Sequence, residues 1–147
     1  MEDQSKKDRF DFVDRVFCKL DDKVSATGVD SLNAEERVVY FVWAALGVLG
    51  NGSFQYFFEN NMDADATAAS FQELGLPAPA ECFRLAQSLL PSEYLGADWD
   101  RQLELLKEHE TSLDTLAQKV LADRKRSESR LADYILAHPN LATLTDE

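Results

Sequence analysis

The side chains of this chain that could support catalysis are two histidines, one serine and several closely spaced acids. His109 and His138 have no neighbouring ligands in the sequence, whereas a zinc or iron site needs three or four clustered Cys, His or carboxylate groups. Ser53 follows Gly52, but the G-x-S-x-G pattern of a hydrolase nucleophile is absent and no histidine lies nearby. The spacing therefore predicts neither a metal site nor a serine hydrolase.

Paired carboxylates and a short run of glycines are the remaining candidates for chemistry. The pairs Asp63/Asp65 and Asp98/Asp100 could act as acid and base only if one cleft held two carboxyl groups with separated pKa values. In an acidic helical chain we interpret them as solvated surface groups. The glycines within 47–52 match neither phosphate-binding order, G-x-G-x-x-G or G-x-x-x-x-G-K-[ST]. The sequence thus predicts a protein that is not an enzyme and binds no cofactor.

The charge of the chain is its most unusual bulk property. The 147 residues carry a formal net charge of −12. Residues 38–83 contain five acids and no Lys, Arg or His, and residues 84–118 add seven acids against three Lys or Arg. Such a field repels nucleic acid and anionic membranes, and it attracts basic protein surfaces. We therefore expect a protein partner, with no direct contact to nucleic acid or membrane.

Location and domain number follow from length and cysteine usage. A chain of this length is expected to form one domain, and the longest apolar stretch, residues 38–49, is too short to span a bilayer. No secretory signal is visible at the N-terminus. The two lone thiols, Cys18 and Cys82, are interpreted as small buried side chains in a reducing cytoplasm.

Apolar residues at spacings of three and four predict an all-α fold, a single compact domain of about eight helices over residues 1–147. The first helix is predicted over residues 8–25. Asn33 is a candidate N-cap with Glu36 at the capping-box position. The helix that follows is apolar on nearly all sides, so we expect it to be the central one. The sequence Gly50-Asn51-Gly52 is predicted to end it.

The rest of the chain is predicted to be helical as well. Residues 54–58 could form a strand, but phenylalanines at 54, 57 and 58 have the i, i+3, i+4 spacing of a helix. Further helices are predicted over residues 65–74 and after Pro77. The C-terminal helices are expected over residues 98–138, with breaks near 110 and 126 and an end at His138-Pro139.

Residues 32–91 resemble a bacterial domain family long described as of unknown function, which includes a DNA-mimic protein. The resemblance is strongest over residues 51–60, NGSFQYFFEN, which look like the family signature Asn-Gly-Gly-Phe-x-Gln-Tyr-Phe-x-Asn. Ser53 stands where the signature has its second glycine, and one residue before Gln55 is missing. A structural role is our main interpretation of the motif, and a ligand or partner site is the alternative. The motif residues are Asn51, Gly52, Phe54, Gln55, Tyr56 and Phe57.

The resemblance implies an all-helical acidic protein that imitates the phosphate array of DNA and engages a DNA-binding transcription regulator. The leading hypothesis is therefore an acidic protein-binding module that sequesters a basic DNA-binding protein. Two alternatives remain open: an immunity-type inhibitor of a toxin, and a non-catalytic helical scaffold that self-associates, with a homodimer as its simplest form. The candidate partner-binding residues are Glu59, Asp63, Asp65, Glu73, Asp98, Asp100, Glu104 and Glu108.

Overall fold

A computed structural model describes the backbone of residues 2–146 and the side chains of residues 8–144. Within these residues the chain forms eight α-helices and no strand, which confirms the prediction of one compact all-α domain. Three single-turn 3-10 segments, Val29–Ser31, Tyr94–Gly96 and Thr143–Asp146, join or follow the helices. The helices are α1 (Glu2–Thr27), α2 (Ala34–Glu59), α3 (Ala64–Glu73), α4 (Pro77–Leu89), α5 (Trp99–Glu108), α6 (Glu110–Ala122), α7 (Arg124–Ala137) and α8 (Pro139–Ala142).

Helix α2 is the centre of the fold, as its composition predicts. It packs against α1, α3 and α6 and makes smaller contacts with α5 and α7. Val39, Val42 and Leu46 on this helix are fully buried. By length and composition alone α2 could cross a membrane, but the core helix of a globular protein meets the same criterion. Here its apolar side chains are used to hold the other helices around it.

The start of α2 is fixed by the predicted capping box. The side chain of Asn33 accepts a hydrogen bond from the Glu36 backbone amide at 2.8 Å, and the Asn33 amide donates to Glu36 Oε1 at 2.9 Å. Two of the amides that a helix N-terminus leaves unpaired are thereby satisfied. The local sequence alone therefore determines where this helix begins.

The predicted helix end at Gly50-Asn51-Gly52 is confirmed as a break inside α2. Gly52 (φ −164°, ψ 22°) and Ser53 (φ 64°, ψ −165°) leave the helical conformation, and a second helical part follows directly and continues to Glu59. In this second part Phe54 and Phe57 enter the core, where their rings lie 5.0 Å and 5.3 Å from that of Phe83 on α4. The motif thus contains the kink between the two parts of α2.

The C-terminal breaks lie close to their predicted positions. Helices α5 and α6 meet at His109, and α6 and α7 meet at Asp123, three residues before the expected second break. Helix α7 ends before His138-Pro139, as predicted, and one further turn follows as α8. At the other end of the chain, α1 extends beyond the predicted 8–25 in both directions.

The two cysteines differ in their exposure to solvent. Cys82 on α4 is buried, as expected, but Cys18 on α1 is exposed. The expectation for Cys18 is wrong because the buried stripe of α1 runs through Val13, Val16 and Leu20. Cys18 lies outside that stripe, beside the carboxylate of Asp14.

Candidate functional site

The acids proposed to bind a partner lie in three parts of the structure. One group is on α3 and its preceding turn, one is on α5, and a single acid lies near the end of α2. Asp63 and Asp98 have a structural task as well, since each accepts a hydrogen bond from a backbone amide as the N-cap of its helix. The α3 group is Asp63, Asp65 and Glu73. The α5 group is Asp98, Asp100, Glu104 and Glu108. The single acid near the end of α2 is Glu59.

The α3 group borders a cleft of about 660 Å³ between the start of α2, α3 and the end of α7. Asp63 and Glu73 line it, and so do Asp30 and Glu35, which the sequence analysis did not select. Asp30 lies before α2, and Glu35 lies in the first turn of α2. Both are far in sequence from residues 63–73, so the sequence gives no sign that they lie close to Asp63 and Glu73 in the folded chain. We call this acidic region the α3 cleft. Its walls also carry Arg37, whose guanidinium is 3.9 Å from Asp30.

Tyr134 of α7 and His138, the residue that follows α7, line one side of the α3 cleft. Burial, together with the nearby charges of Glu35 and Glu73, raises the pKa of the Tyr134 phenol above its usual value. His138 Nδ1 lies 2.6 Å from the Tyr134 carbonyl oxygen, so it is placed to donate to that oxygen. Its Nε2 then faces Glu35 at 3.9 Å. The cleft thus combines carboxylates with aromatic surface.

The α5 group is arranged around one cation. The Arg101 guanidinium lies 3.1 Å from Glu104, 3.2 Å from Glu93 and 3.9 Å from Glu108. These acids raise the pKa of Arg101, with the Glu104 hydrogen bond as the largest cause. One positive charge therefore faces three negative ones, and the region keeps a net negative charge. We call it the α5 ridge, defined by Glu93, Asp98, Asp100, Glu104 and Glu108.

Several proposed acids have no positively charged neighbour. Ion pairs within the protein would have neutralised them, but within residues 8–144 six of the eight proposed acids form none. They are Glu59, Asp63, Asp65, Glu73, Asp98 and Asp100. Glu59 also contributes, after burial, to a raised pKa of Tyr94. Glu59 therefore lies near the turn that leads into α5.

The signature motif is divided between the core and the surface. Phe54 and Phe57 are fully buried in the aromatic core. The other four residues, Asn51, Gly52, Gln55 and Tyr56, line a small cavity of about 360 Å³ together with Glu59. We call this the kink cavity.

Side chains suited to metal binding are dispersed. Within the residues that the structure describes, no three His, Cys, Asp or Glu side chains are grouped so as to hold a metal ion. His109 is at the junction of α5 and α6, and His138 is at the end of α7.

Comparison with known proteins gives one match. A family model described as DMP19-like protein matches residues 30–138, which span the fold from the turn before α2 to the residue after α7. The matched region contains the kink, the α3 cleft and the α5 ridge. No curated protein and no solved structure shows significant similarity to the chain.

Proposed function

The chain belongs to the DMP19-like protein family, and on that basis and its charge distribution we propose that it is a cytoplasmic, non-catalytic protein that binds a basic protein partner. The partner contacts carboxylates of the α3 cleft, the neighbouring Asp65 on α3, and the α5 ridge. In its most specific form, the proposal is that the partner is a DNA-binding protein, such as a transcription regulator, and that these carboxylates imitate DNA phosphates.

The presence of carboxylates without counter-charges carries this proposal. Asp65, Glu73 and Asp100 form no ion pair within residues 8–144, and Glu104 and Glu108 share Arg101 with Glu93. Unneutralised charge destabilises a fold through self-repulsion, and it accelerates association with a partner of opposite charge. A basic surface placed against these groups would supply the missing cations.

The geometry of α5 supports imitation of DNA. Acids recur at 100, 104 and 108, and four residues of helix advance about 6 Å along the axis. Phosphates of one DNA strand recur about every 3.4 Å along the duplex axis. Because the strand also winds around the duplex, neighbouring phosphates are farther apart in space than this axial rise, and the spacing of roughly 6 Å between successive carboxylates of α5 is of the same order. The helix holds these carboxylates at fixed spacing.

The proposal is tested by affinity capture from host lysate with three proteins. One is the wild type, one carries Asp65→Asn, Glu73→Gln and Asp100→Asn, and the control carries Asp22→Asn, Glu81→Gln and Asp114→Asn, the same change of charge at other positions. Because interactions between exposed charges are screened by salt, we expect a basic protein that is captured at low salt, released at high salt and retained by the control. The first triple variant should lose at least about tenfold in affinity, or ~1.4 kcal/mol.

The captured protein, once purified, is then tested for binding to duplex DNA in competition with this protein. Displacement from DNA supports imitation of DNA. A captured nuclease toxin whose activity is inhibited without competition by DNA would favour the immunity alternative. Equal capture by both triple variants, or capture of no basic protein at either salt concentration, contradicts the proposal. A salt-insensitive dimer with no other partner would favour the scaffold.

A further inference from the structure

The kink of α2 is held in an unfavourable conformation. Ser53 has φ 64° and ψ −165°, a combination adopted almost entirely by glycine. Such strain persists only where the surrounding structure imposes it, and it is concentrated at binding and catalytic sites. The kink is therefore a place to look for a ligand.

The same turn contains two buried polar atoms that lack a hydrogen-bond partner. They are Ser53 Oγ and Gln55 Oε1, and they are the only two such side-chain atoms within residues 8–144. Buried polar groups in proteins are nearly always paired, so an unpaired one calls for a specific cause. A ligand that donates hydrogen bonds at this turn would remove the cost of the unpaired acceptor on Gln55.

The kink cavity presents acceptors and an aromatic ring. Asn51 and Gln55 contribute amide groups, and Glu59 contributes a carboxylate that forms no ion pair within residues 8–144. Tyr56 is 41% exposed. It lies directly against Gly52, where an added Cβ would be 2.6 Å from the Tyr56 Cβ. The glycine therefore allows the tyrosine ring to form one wall of the cavity.

This set of groups is complementary to a guanidinium. A guanidinium carries a positive charge and five donors in a flat fork, and its plane stacks on aromatic rings. A carboxylate binds it through charge-assisted hydrogen bonds, which are stronger than neutral ones. An ammonium is a compact, strongly hydrated charge that cannot stack in this way. The cavity of about 360 Å³ has room for such a group.

We propose that the kink cavity is a binding site for a guanidinium group. The Glu59 carboxylate accepts its hydrogen bonds and the Tyr56 ring lies against its plane. The Gln55 side chain rotates so that Oε1 accepts a further bond. Free guanidino compounds and an arginine side chain of another protein share this chemistry.

The test is an NMR titration of the ¹⁵N-labelled full chain with methylguanidinium and, separately, with N-acetyl-arginine amide. A third titration uses a short uncharged peptide that contains one arginine, with the lysine version of the same peptide as its control. We expect saturable shifts of the Gln55 side-chain amide and of the backbone amides around the kink. The lysine peptide should bind more weakly than the arginine peptide.

Variants separate a built site from general attraction to an acidic surface. Glu59→Gln should weaken binding at least about tenfold through loss of charge-assisted hydrogen bonds, and Tyr56→Ala should weaken it as well. Glu81→Gln removes the same charge at an exposed position outside the cavity and outside the proposed partner-binding acids, so it should bind like the wild type. Thermal unfolding of each variant verifies that it is folded, and Tyr56→Phe, which keeps the ring, should retain binding.

Each outcome distinguishes the site from the proposed function. Equal weakening by Glu59→Gln and Glu81→Gln, or shifts spread over the acidic helices without saturation, would overturn the kink site. That result would leave the proposed function standing, because its test uses acids outside the cavity. Binding of methylguanidinium and of the free arginine derivative identifies a small-molecule site. Binding of the arginine peptide alone identifies a site for a protein's arginine.

Discussion

The ammonium of Lys23 on α1 lies 2.9 Å from the carboxylate of Glu36 at the start of α2. Glu36 is only 7% exposed, and the same carboxylate accepts the Asn33 amide of the capping box. One buried acid therefore both caps the central helix and joins it to α1.

Replacement of Glu36 should destabilise the fold through both contacts. We expect Glu36→Ala to lower the free energy of unfolding by about 2–4 kcal/mol, since it removes a capping interaction and a charge-assisted hydrogen bond. Glu36→Gln, which keeps an acceptor for the Asn33 amide, should cost less. Urea unfolding measures both. The exposed change Asp22→Ala on α1 is the control and should cost about 0.5 kcal/mol or less; equal losses for residues 22 and 36 would refute this role.

Two glycines of α2 should respond in opposite directions to alanine. A Cβ at Gly52 would lie 2.6 Å from the Tyr56 Cβ, whereas a Cβ at Gly47 meets no atom within 4 Å. We expect Gly52→Ala to destabilise by about 1–3 kcal/mol through overpacking. Gly47→Ala should stabilise by about 0.5–1 kcal/mol because alanine favours a helix interior. Thermal unfolding of the two variants is the measurement, and the same sign for both would contradict the kink geometry.

Ser53→Gly should stabilise the protein. Ser53 occupies a conformation that costs a non-glycine residue about 1–3 kcal/mol, and glycine, the residue of the family signature, adopts it freely. After the greater chain entropy that glycine loses on folding, we expect a net gain of about 1 kcal/mol in urea unfolding. Ser53→Ala removes the unpaired hydroxyl but keeps the backbone strain, so it should stabilise less than Ser53→Gly. An equal gain in the free energy of unfolding for both variants would show that the hydroxyl, not the backbone strain, destabilises the wild type.

The charges of the α3 cleft should be detectable through Tyr134. Its pKa is raised by burial and then by Glu35 and Glu73, so Glu35→Gln with Glu73→Gln should lower the pH at which this tyrosine ionises. The ultraviolet absorbance of tyrosinate, with Tyr134→Phe used to assign the transition, reports this shift. A titration unchanged by the double variant would show that the two carboxylates do not act on Tyr134.

The same raised pKa gives a sign for the pH dependence of stability. The folded state holds the phenol proton more tightly than the unfolded state does. The contribution of the protonated Tyr134 phenol to the free energy of unfolding is therefore complete below the usual tyrosine pKa of about 10. It is lost as the pH rises above that value. Tyr134→Phe should make the loss of stability in this alkaline range less steep in urea unfolding. An equally steep loss in the variant would place its origin elsewhere, for example at Tyr40 or Tyr94, whose pKa values are also raised.

The sequence alone determined the helical class, the central position of α2, the cap at Asn33 and the helix end at Gly50-Asn51-Gly52. These features depend on the spacing of apolar residues and on hydrogen bonds between near neighbours, which local sequence specifies. The clustering of Glu104 and Glu108 around Arg101 also follows from local sequence. Residues three to four positions apart share a helix face, so 101, 104 and 108 lie along one side of α5.

Only the tertiary structure decided that the predicted helix end at Gly50-Asn51-Gly52 is a break of two residues, Gly52 and Ser53, with a second helical part of α2 directly after it. Burial of Phe54 and Phe57 beside Phe83 fixes the position of that second part. Tertiary packing also brought Asp30 and Glu35 to the same cleft as Asp63 and Glu73. A charged residue exposed on a helix has no pattern that indicates its neighbours on other helices, because that proximity depends on how the helices pack.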